Sequence, residues 1–285
     1  MHQFVSTLLL IIFFGLAVPS LSQPEIGIAQ RIENDSLLTS AGYRYLVETI
    51  SRNFSPRNVT DDQFEQKVLA FKKLKINLYA CNLFIPGDLK LVGSDFDERA
   101  VLNYASIVFQ RCKRANLKMI VWGSGAARRV PDGFDPATAR VQFIAIARKL
   151  AMLAHQYGVV LALENLNATE TNFINTFQQA YDIVKSVDEP GLRLCADLYH
   201  MAKEDEGAAI LEEAGRYIVH CDIAEKENRT PPGTAGDDFR PYLRALKKVG
   251  YNGKIILECG WKDLPAQLAP ARLALQLQID EVWSE

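Results

Sequence analysis

The sequence predicts a single (β/α)8 TIM barrel, an α/β fold. Eight short apolar runs alternate along the chain with longer amphipathic stretches, which indicates parallel strands joined by helical crossovers. The runs are almost continuously apolar, as strands buried on both faces should be. Eight such units fit a chain of 285 residues. An open doubly wound sheet is the alternative, but its glycine-rich dinucleotide fingerprint is absent after the first run.

The predicted strands are short, apolar and mostly β-rich. They are residues 25–29, 43–48, 76–84, 118–123, 159–165, 192–198, 217–223 and 254–259. The predicted helices carry apolar residues at helical spacing, and several have an aspartate near the start or a lysine or glycine near the end, which are boundary signals. They are residues 61–74, 97–115, 135–158, 176–187, 207–215, 239–250 and 271–283.

The first 22 residues differ from the rest because they contain no Asp, Glu, Lys or Arg. Residues 4–18 form an apolar core of signal-peptide length, and Ser20 and Ser22 offer the small residues that a cleavage site requires. We therefore predict a signal peptide over residues 1–22, cleavage before Gln23 and a barrel domain over 23–285. The mature chain would be exported, either periplasmic or secreted. An uncleaved membrane anchor is the alternative, since the first three residues lack Lys and Arg.

Composition limits the partners. The formal net charge is −2 and the basic residues are scattered, so neither nucleic acid nor an anionic membrane is a predicted partner. No later apolar run is long enough to span a bilayer. Four of the five cysteines lie inside apolar strand-like runs, which indicates buried free thiols rather than a disulfide framework. These are Cys81, Cys195, Cys221 and Cys259.

Acids and histidines stand at the ends of the last four predicted strands. They are Glu164, Asp197, His200, His220, Asp222 and Glu258. Because the C-terminal ends of barrel strands meet at one mouth, these side chains should converge there. A divalent cation would offset both their mutual repulsion and their loss of hydration. Mostly oxygen donors favour Mn²⁺ or Mg²⁺, and no zinc motif such as CxxC or HExxH is present.

Four segments make the chain resemble the xylose-isomerase-like TIM-barrel superfamily, most closely its ketose 3-epimerases and inosose-type dehydratases. The segments are ALEN, CADLYH, HCDIAEKENRTPPG and ILECGW. The resemblance implies that Glu164, Asp197 and Glu258 hold a divalent metal, together with a residue of the seventh strand. It also implies that Glu164 and Glu258 transfer the proton, and that His200 and Arg229 contact the substrate.

The seventh strand departs from the pattern of the superfamily, which places a histidine ligand where this chain has Asp222. Residues two apart on a strand share a face, so His220 and Asp222 should both point into the barrel. Asp222 is nearer the mouth and is the predicted ligand. His220 lies deeper and is expected to hydrogen-bond a neighbouring carboxylate, with metal ligation as the alternative. A fourth carboxylate favours Mn²⁺ or Mg²⁺, with Co²⁺ or Zn²⁺ as alternatives.

The resemblance implies a sugar isomerase or epimerase that moves a proton next to a carbonyl through an enediolate. A lyase acting on keto-sugars or keto-glycosides uses the same groups and stays open, as does a non-catalytic sugar-binding barrel. The superfamily also includes the DNA-repair endonuclease IV branch, but the zinc cluster of that branch needs more histidines than the four in this chain. Glu48 and Trp261 are further predicted substrate contacts, although a salt bridge and rim packing are their alternatives. The partner is a small sugar, and a homo-oligomer stays open.

Overall fold

The structure is a computed structural model that describes residues 22–285. In this range eight parallel strands pair in chain order, and the first pairs with the eighth, so that the sheet closes into a barrel. The predicted (β/α)8 fold is confirmed. The strands are β1 (Ile26–Ala29), β2 (Tyr45–Thr49), β3 (Asn77–Asn82), β4 (Met119–Trp122), β5 (Val160–Glu164), β6 (Leu192–Asp197), β7 (Ile218–Ile223) and β8 (Ile255–Leu257).

Helices follow the strands around the outside. They are α1 (Asp35–Ser40), α2 (Ile50–Asn53), α3 (Asp61–Phe71), α4 (Glu98–Ala115), α5 (Gly125–Arg128), α6 (Pro136–Gln156), α7 (Phe177–Val187), α8 (Leu198–Lys203), α9 (Ala209–Ala214), α10 (Arg240–Lys248) and α11 (Leu264–Ser284). All seven predicted helices are present. The other four, α1, α2, α5 and α8, have four to six residues, too few for a periodic pattern to reveal.

The last helix begins seven residues before its predicted start at 271. Asp263 caps it by accepting a hydrogen bond from the backbone N–H of Ala266, 3.2 Å away. Pro265 stands in its first turn, where a missing N–H is tolerated. Pro270 lies inside the helix, although a proline there usually marks a boundary.

Strand residues alternate between two separate apolar environments. Leu46, Cys81 and Leu257 belong to the large core between the barrel and its helices. Their neighbours Val47, Ala80 and Ile256 form a separate buried cluster inside the barrel. A second interior cluster contains Val121, Ala162 and Cys195. Mostly apolar side chains therefore fill this part of the barrel interior, and the next inward-facing residues along the strands belong to its C-terminal mouth.

All five cysteines are free thiols. Cys81, Cys112, Cys195 and Cys221 are buried, while Cys259 is partly exposed. Among residues 22–285, no helix combines the length and apolar character needed to cross a bilayer. The predicted signal peptide, apart from Ser22, lies outside the described residues.

Candidate active site

Four carboxylates meet at the C-terminal mouth of the barrel. Glu164 and Asp197 are the last residues of β5 and β6, Asp222 is the penultimate residue of β7, and Glu258 directly follows β8. Each offers one oxygen, and these four oxygens all lie within 4.8 Å of one another. The structure therefore brings together the four residues that the sequence predicts as metal ligands.

The cluster carries negative charge without full compensation. Burial raises the pKa of Glu164 well above its usual value, and the neighbouring Glu258, Asp197 and Asp222 raise it further. Burial likewise raises the pKa of Glu258 to about 7; Arg229 opposes the shift, and Asp222 and Asp197 add to it. A divalent cation among these oxygens would supply the missing positive charge.

A glycine makes room for Glu164. A Cβ built on Gly123, just after β4, would lie 2.4 Å from Glu164 Oε2. Any side chain at this position would therefore displace the carboxylate. Behind it, the buried Arg128 donates from Nη1 to the backbone carbonyl of Glu164 at 2.8 Å and from Nη2 to that of Ile174 at 3.2 Å. Burial lowers the pKa of Arg128 to about 10, so the guanidinium remains charged at neutral pH and fixes the end of β5.

Two donors hold Glu258. Arg229 Nη2 lies 2.5 Å from Glu258 Oε2, and its Nε donates to the Glu258 backbone carbonyl at 3.0 Å. Asn82, the last residue of β3, donates from Nδ2 to Glu258 Oε1 at 2.7 Å. The Arg229 guanidinium also stacks over the ring of Tyr199, 4.7 Å from its centroid. Burial opposes the charge of Arg229, but Glu258, Asp197 and Glu164 outweigh it and raise the pKa.

His200 presents an N–H to the site. Its Nδ1 accepts a hydrogen bond from the backbone N–H of Asn167 at 3.1 Å, so the neutral ring carries its proton on Nε2. Nε2 lies 3.7 Å from Asp197 Oδ2 and 3.9 Å from Glu164 Oε1, beyond hydrogen-bond distance. Both Nε2 and Asp197 Oδ2 are buried and have no hydrogen-bond partner among the described residues. These two atoms are therefore available to a ligand.

His220 supports Asp222 from below. Its Nε2 lies 2.9 Å from Asp222 Oδ1, and because a carboxylate only accepts, the proton is on Nε2. The Cys195 thiol donates to the other oxygen, Oδ2, at 3.2 Å. The ring of Tyr79 stacks on His220 with centroids 5.8 Å apart. Cys195, His220 and Asp222 also form a group whose potential ligand atoms lie within 4.8 Å of one another, which keeps His220 open as a ligand.

A buried acid organises the loop that carries Arg229. Glu225 accepts backbone hydrogen bonds from Gly233 at 2.8 Å and Gly236 at 3.0 Å, and one from the Thr230 hydroxyl at 2.9 Å. Arg229 itself adopts a left-handed backbone conformation, with φ of 53°. Since that conformation is uncommon for such a side chain, the bonds to Glu225 help to keep the loop in place.

Two predicted substrate contacts lie outside the cavity wall. Both oxygens of Glu48 are taken: Oε1 pairs with Arg52 at 3.2 Å, and Oε2 accepts from Asn53 at 2.8 Å. Trp261 is partly buried and packs against the large outer core. Neither residue lines the cavity above the carboxylates.

That cavity has a volume of about 590 Å³, within the size range of small-molecule sites. It is lined by Glu164, His200, Arg229 and Glu258. Asn82, which the sequence did not indicate as a site residue, lies beside them in the cavity wall. Sequence reasoning also missed the role of Asn167. The available signal for both was a polar amide next to an apolar run.

Comparisons with known proteins agree with the motifs. A D-psicose 3-epimerase from Ruminiclostridium cellulolyticum is 36% identical over 112 residues, which cover 39% of this chain and 38% of the relative. The chain thus matches about two fifths of that relative's length. The crystal structure of D-psicose 3-epimerase with D-tagatose from Clostridium cellulolyticum H10 superposes with a TM-score of 0.77 at 22% identity, covering 91% of this chain and 99% of that one.

The structure of the IOLI protein with a zinc atom gives a TM-score of 0.70 at 20% identity, covering 91% of this chain and 98% of that one. At these identities the two structural likenesses show a shared fold. The family model described as xylose isomerase-like TIM barrel matches residues 36–278 of this chain. The resemblance inferred from the four sequence segments is confirmed, and the chain belongs to the xylose isomerase-like TIM barrel family.

Proposed function

We propose that this protein is a divalent-metal-dependent sugar epimerase or isomerase that moves a proton next to the carbonyl of a ketose or related sugar. The observation that carries the proposal is the cluster of four carboxylate oxygens within 4.8 Å of one another at the floor of a ligand-sized cavity. Relatives named as D-psicose 3-epimerase and inosose isomerase support a sugar substrate.

The residues present fit a divalent cation. The donors are carboxylate oxygens, and the buried Asp197 Oδ2 has no hydrogen-bond partner among the described residues. Burial raises the pKa of Glu164, and the neighbouring Glu258, Asp197 and Asp222 raise it further, so a cation at this place would be favoured. Glu164, Asp197, Asp222 and Glu258 would hold the ion. An all-oxygen set favours Mn²⁺ or Mg²⁺, with Co²⁺ or Zn²⁺ as alternatives. A bound ion would polarise the sugar carbonyl and stabilise negative charge on its oxygen.

The chain's own groups supply the proton transfer. Glu164 accepts no side-chain hydrogen bond within the described residues, so its carboxylate is available to take a proton from the carbon beside the carbonyl. Glu258, oriented by Asn82 and Arg229, returns a proton. His200 Nε2–H donates to a sugar oxygen.

A lyase is the second candidate. The cavity extends from the carboxylates towards Ser55, Arg57 and Tyr104, which leaves room for a leaving alcohol. In that reaction the same base removes the proton beside the carbonyl. The electron pair forms a double bond, and the alcohol leaves from the next carbon with a proton from the second glutamate.

Metal analysis and solvent exchange test the proposal. We expect purified protein to bind about one Mn²⁺ or Mg²⁺ per chain and, in heavy water, to incorporate deuterium beside the carbonyl of a ketose. The Glu164→Gln variant should keep sugar affinity within a few-fold and lose exchange, whereas a pure binding protein has no exchange to lose. Release of an alcohol or water instead identifies the lyase. Absence of any bound or activating divalent metal overturns both enzymatic candidates.

Export is part of the proposal. Residues 1–22 have the composition of a signal peptide. Amino-terminal sequencing of protein recovered from the host's exported fraction should begin at Gln23. Recovery of the intact amino terminus in the membrane fraction would favour the uncleaved anchor.

A further inference from the structure

A second cavity adjoins the one above the carboxylates. The first, with about 590 Å³, is called here the carboxylate lobe and is lined by Glu164, His200 and Arg229. The second, with about 330 Å³, is called the arginine lobe and is lined by Gln30, Arg31, Thr49 and Arg52. Both lobes share the same three boundary residues, Asn82, Leu83 and Glu258.

The boundary between the lobes is built from unusual features. Leu83 is 57% exposed and has a left-handed backbone with φ of 52°, a conformation that is uncommon for a bulky residue. It directly follows Asn82, which donates a hydrogen bond to Glu258. An apolar side chain held in a disfavoured conformation at the mouth offers a surface on which the apolar face of a sugar ring can pack.

The arginine lobe has the groups that recognise hydroxyls. Arg31 is exposed, and its side chain makes no hydrogen bond or ion pair within residues 22–285. The Arg52 side chain is 42% exposed although its guanidinium pairs with the buried Glu48. Since Glu48 neutralises Arg52 and Glu258 stands at the boundary, the lobe is only weakly positive. Its donors therefore suit a neutral polyhydroxylated unit better than a phosphate.

Size points the same way. About 330 Å³ lies at the lower end of the range for whole small-molecule sites and is larger than a single substituent requires. We propose that the substrate is a keto-glycoside with two units. The carbonyl-bearing sugar lies in the carboxylate lobe, and a glycosidic oxygen passes Leu83 to a second unit in the arginine lobe. This inference rests on the proposed function because it assigns the carbonyl-bearing unit to the carboxylates.

Calorimetry on the Mn²⁺-loaded protein tests it with matched sugars of one and two units. The first set is D-fructose against the five glucosyl-fructoses trehalulose, turanose, maltulose, leucrose and isomaltulose. The second is methyl 3-keto-α-D-glucopyranoside against 3-keto-α,α-trehalose. We expect at least one two-unit sugar to bind tenfold or more tightly than its one-unit partner. The inference is overturned if no two-unit sugar binds more tightly than its one-unit partner, or if no two-unit sugar binds at all.

Two variants and one control locate the second unit. Arg31→Ala should lower the ratio of two-unit to one-unit affinity about tenfold, and its exposed position makes misfolding no concern. Leu83→Asn, whose side chain tolerates a left-handed backbone, should lower the same ratio. Arg99→Ala is the matched control, since Arg99 is also exposed and lines neither lobe. An unchanged ratio in both Arg31→Ala and Leu83→Asn overturns the placement. Tight two-unit binding without deuterium exchange supports the two-lobed site and refutes only the proposed chemistry.

Discussion

The glycine beside Glu164 gives the sharpest test of the carboxylate cluster. In Gly123→Ala the new Cβ would lie 2.4 Å from Glu164 Oε2, where an ordinary contact is at least 3.4 Å. The carboxylate must therefore move by about 1 Å to restore an ordinary contact. The new Cβ has little room to shift the other way, because Leu166 Cδ2 already lies 3.3 Å from its position. A misplacement of about 1 Å can lower a rate by about 100-fold, equivalent to roughly 2.7 kcal/mol of transition-state stabilisation.

Two assays separate this displacement from general damage. Calorimetry should show weaker Mn²⁺ binding for Gly123→Ala, and deuterium exchange into the ketose should fall by about 100-fold in kcat/KM. Gly207→Ala is the control, because no described atom lies within 4 Å of its Cβ position. It should match the wild type in both assays. If Gly123→Ala binds Mn²⁺ and exchanges deuterium within twofold of Gly207→Ala, the position of Glu164 is not critical and the proposed site is wrong.

Three further predictions follow from the charges and contacts of the site. Because the pKa of Glu258 is raised to about 7 and that of Glu164 is raised as well, Mn²⁺ must displace protons when it binds. The Mn²⁺ affinity, measured by calorimetry, should therefore rise from pH 6 towards pH 7, by up to about tenfold per pH unit for each displaced proton. An Mn²⁺ affinity that does not change with pH would contradict this. Because the pKa of Glu258 is raised from its ordinary value of 4.5 to about 7, this group favours the metal-free folded state fully below pH 4.5, and the contribution is lost as the pH rises through about 7. The Tm measured with chelator should therefore fall between these two pH values, and it should fall less in Glu258→Gln. Cys195→Ala removes the donor to Asp222 Oδ2 and should weaken Mn²⁺ binding at least tenfold, whereas Cys112→Ala, an equally buried thiol in α4, should lower only the Tm; equal Mn²⁺ affinities in the two variants would show that the thiol does not support the ligand.

The sequence predicted the barrel because its strands are buried on both faces and therefore read as continuous apolar runs. The convergence of Glu164, Asp197, Asp222 and Glu258 followed from the same prediction, since the ends of parallel barrel strands share one mouth. Short helices such as α5 could not be predicted, because four residues show no periodicity. The supporting amides were missed for a different reason: the partners of Asn82 and Asn167 are 176 and 33 residues away in the chain.

Glu48 shows how one position along a strand decides whether an acid enters the site. Val47 belongs to the cluster inside the barrel, so its neighbour Glu48 faces outward. The register agrees, because Glu48 pairs with Cys81 of the outer core, while Thr49 pairs with the inward-facing Asn82. An acid at a strand end is therefore a candidate ligand only when its parity matches the interior residues of the same strand.

The same parity explains which residue of the seventh strand lies among the carboxylates, a point that the family pattern alone left open between His220 and Asp222. In the register of β6 and β7, His220 is level with Cys195 and Asp222 is level with Asp197. His220 thus occupies the deeper interior layer, and Asp222 occupies the layer of the carboxylates. The hydrogen bonds from His220 and Cys195 leave the Asp222 oxygens oriented, and each oxygen keeps a further lone pair. A chain with Asp at position 222 can therefore keep four candidate ligands from four adjacent strands while exchanging a nitrogen donor for an oxygen, which would shift the preference of the proposed metal site towards harder cations.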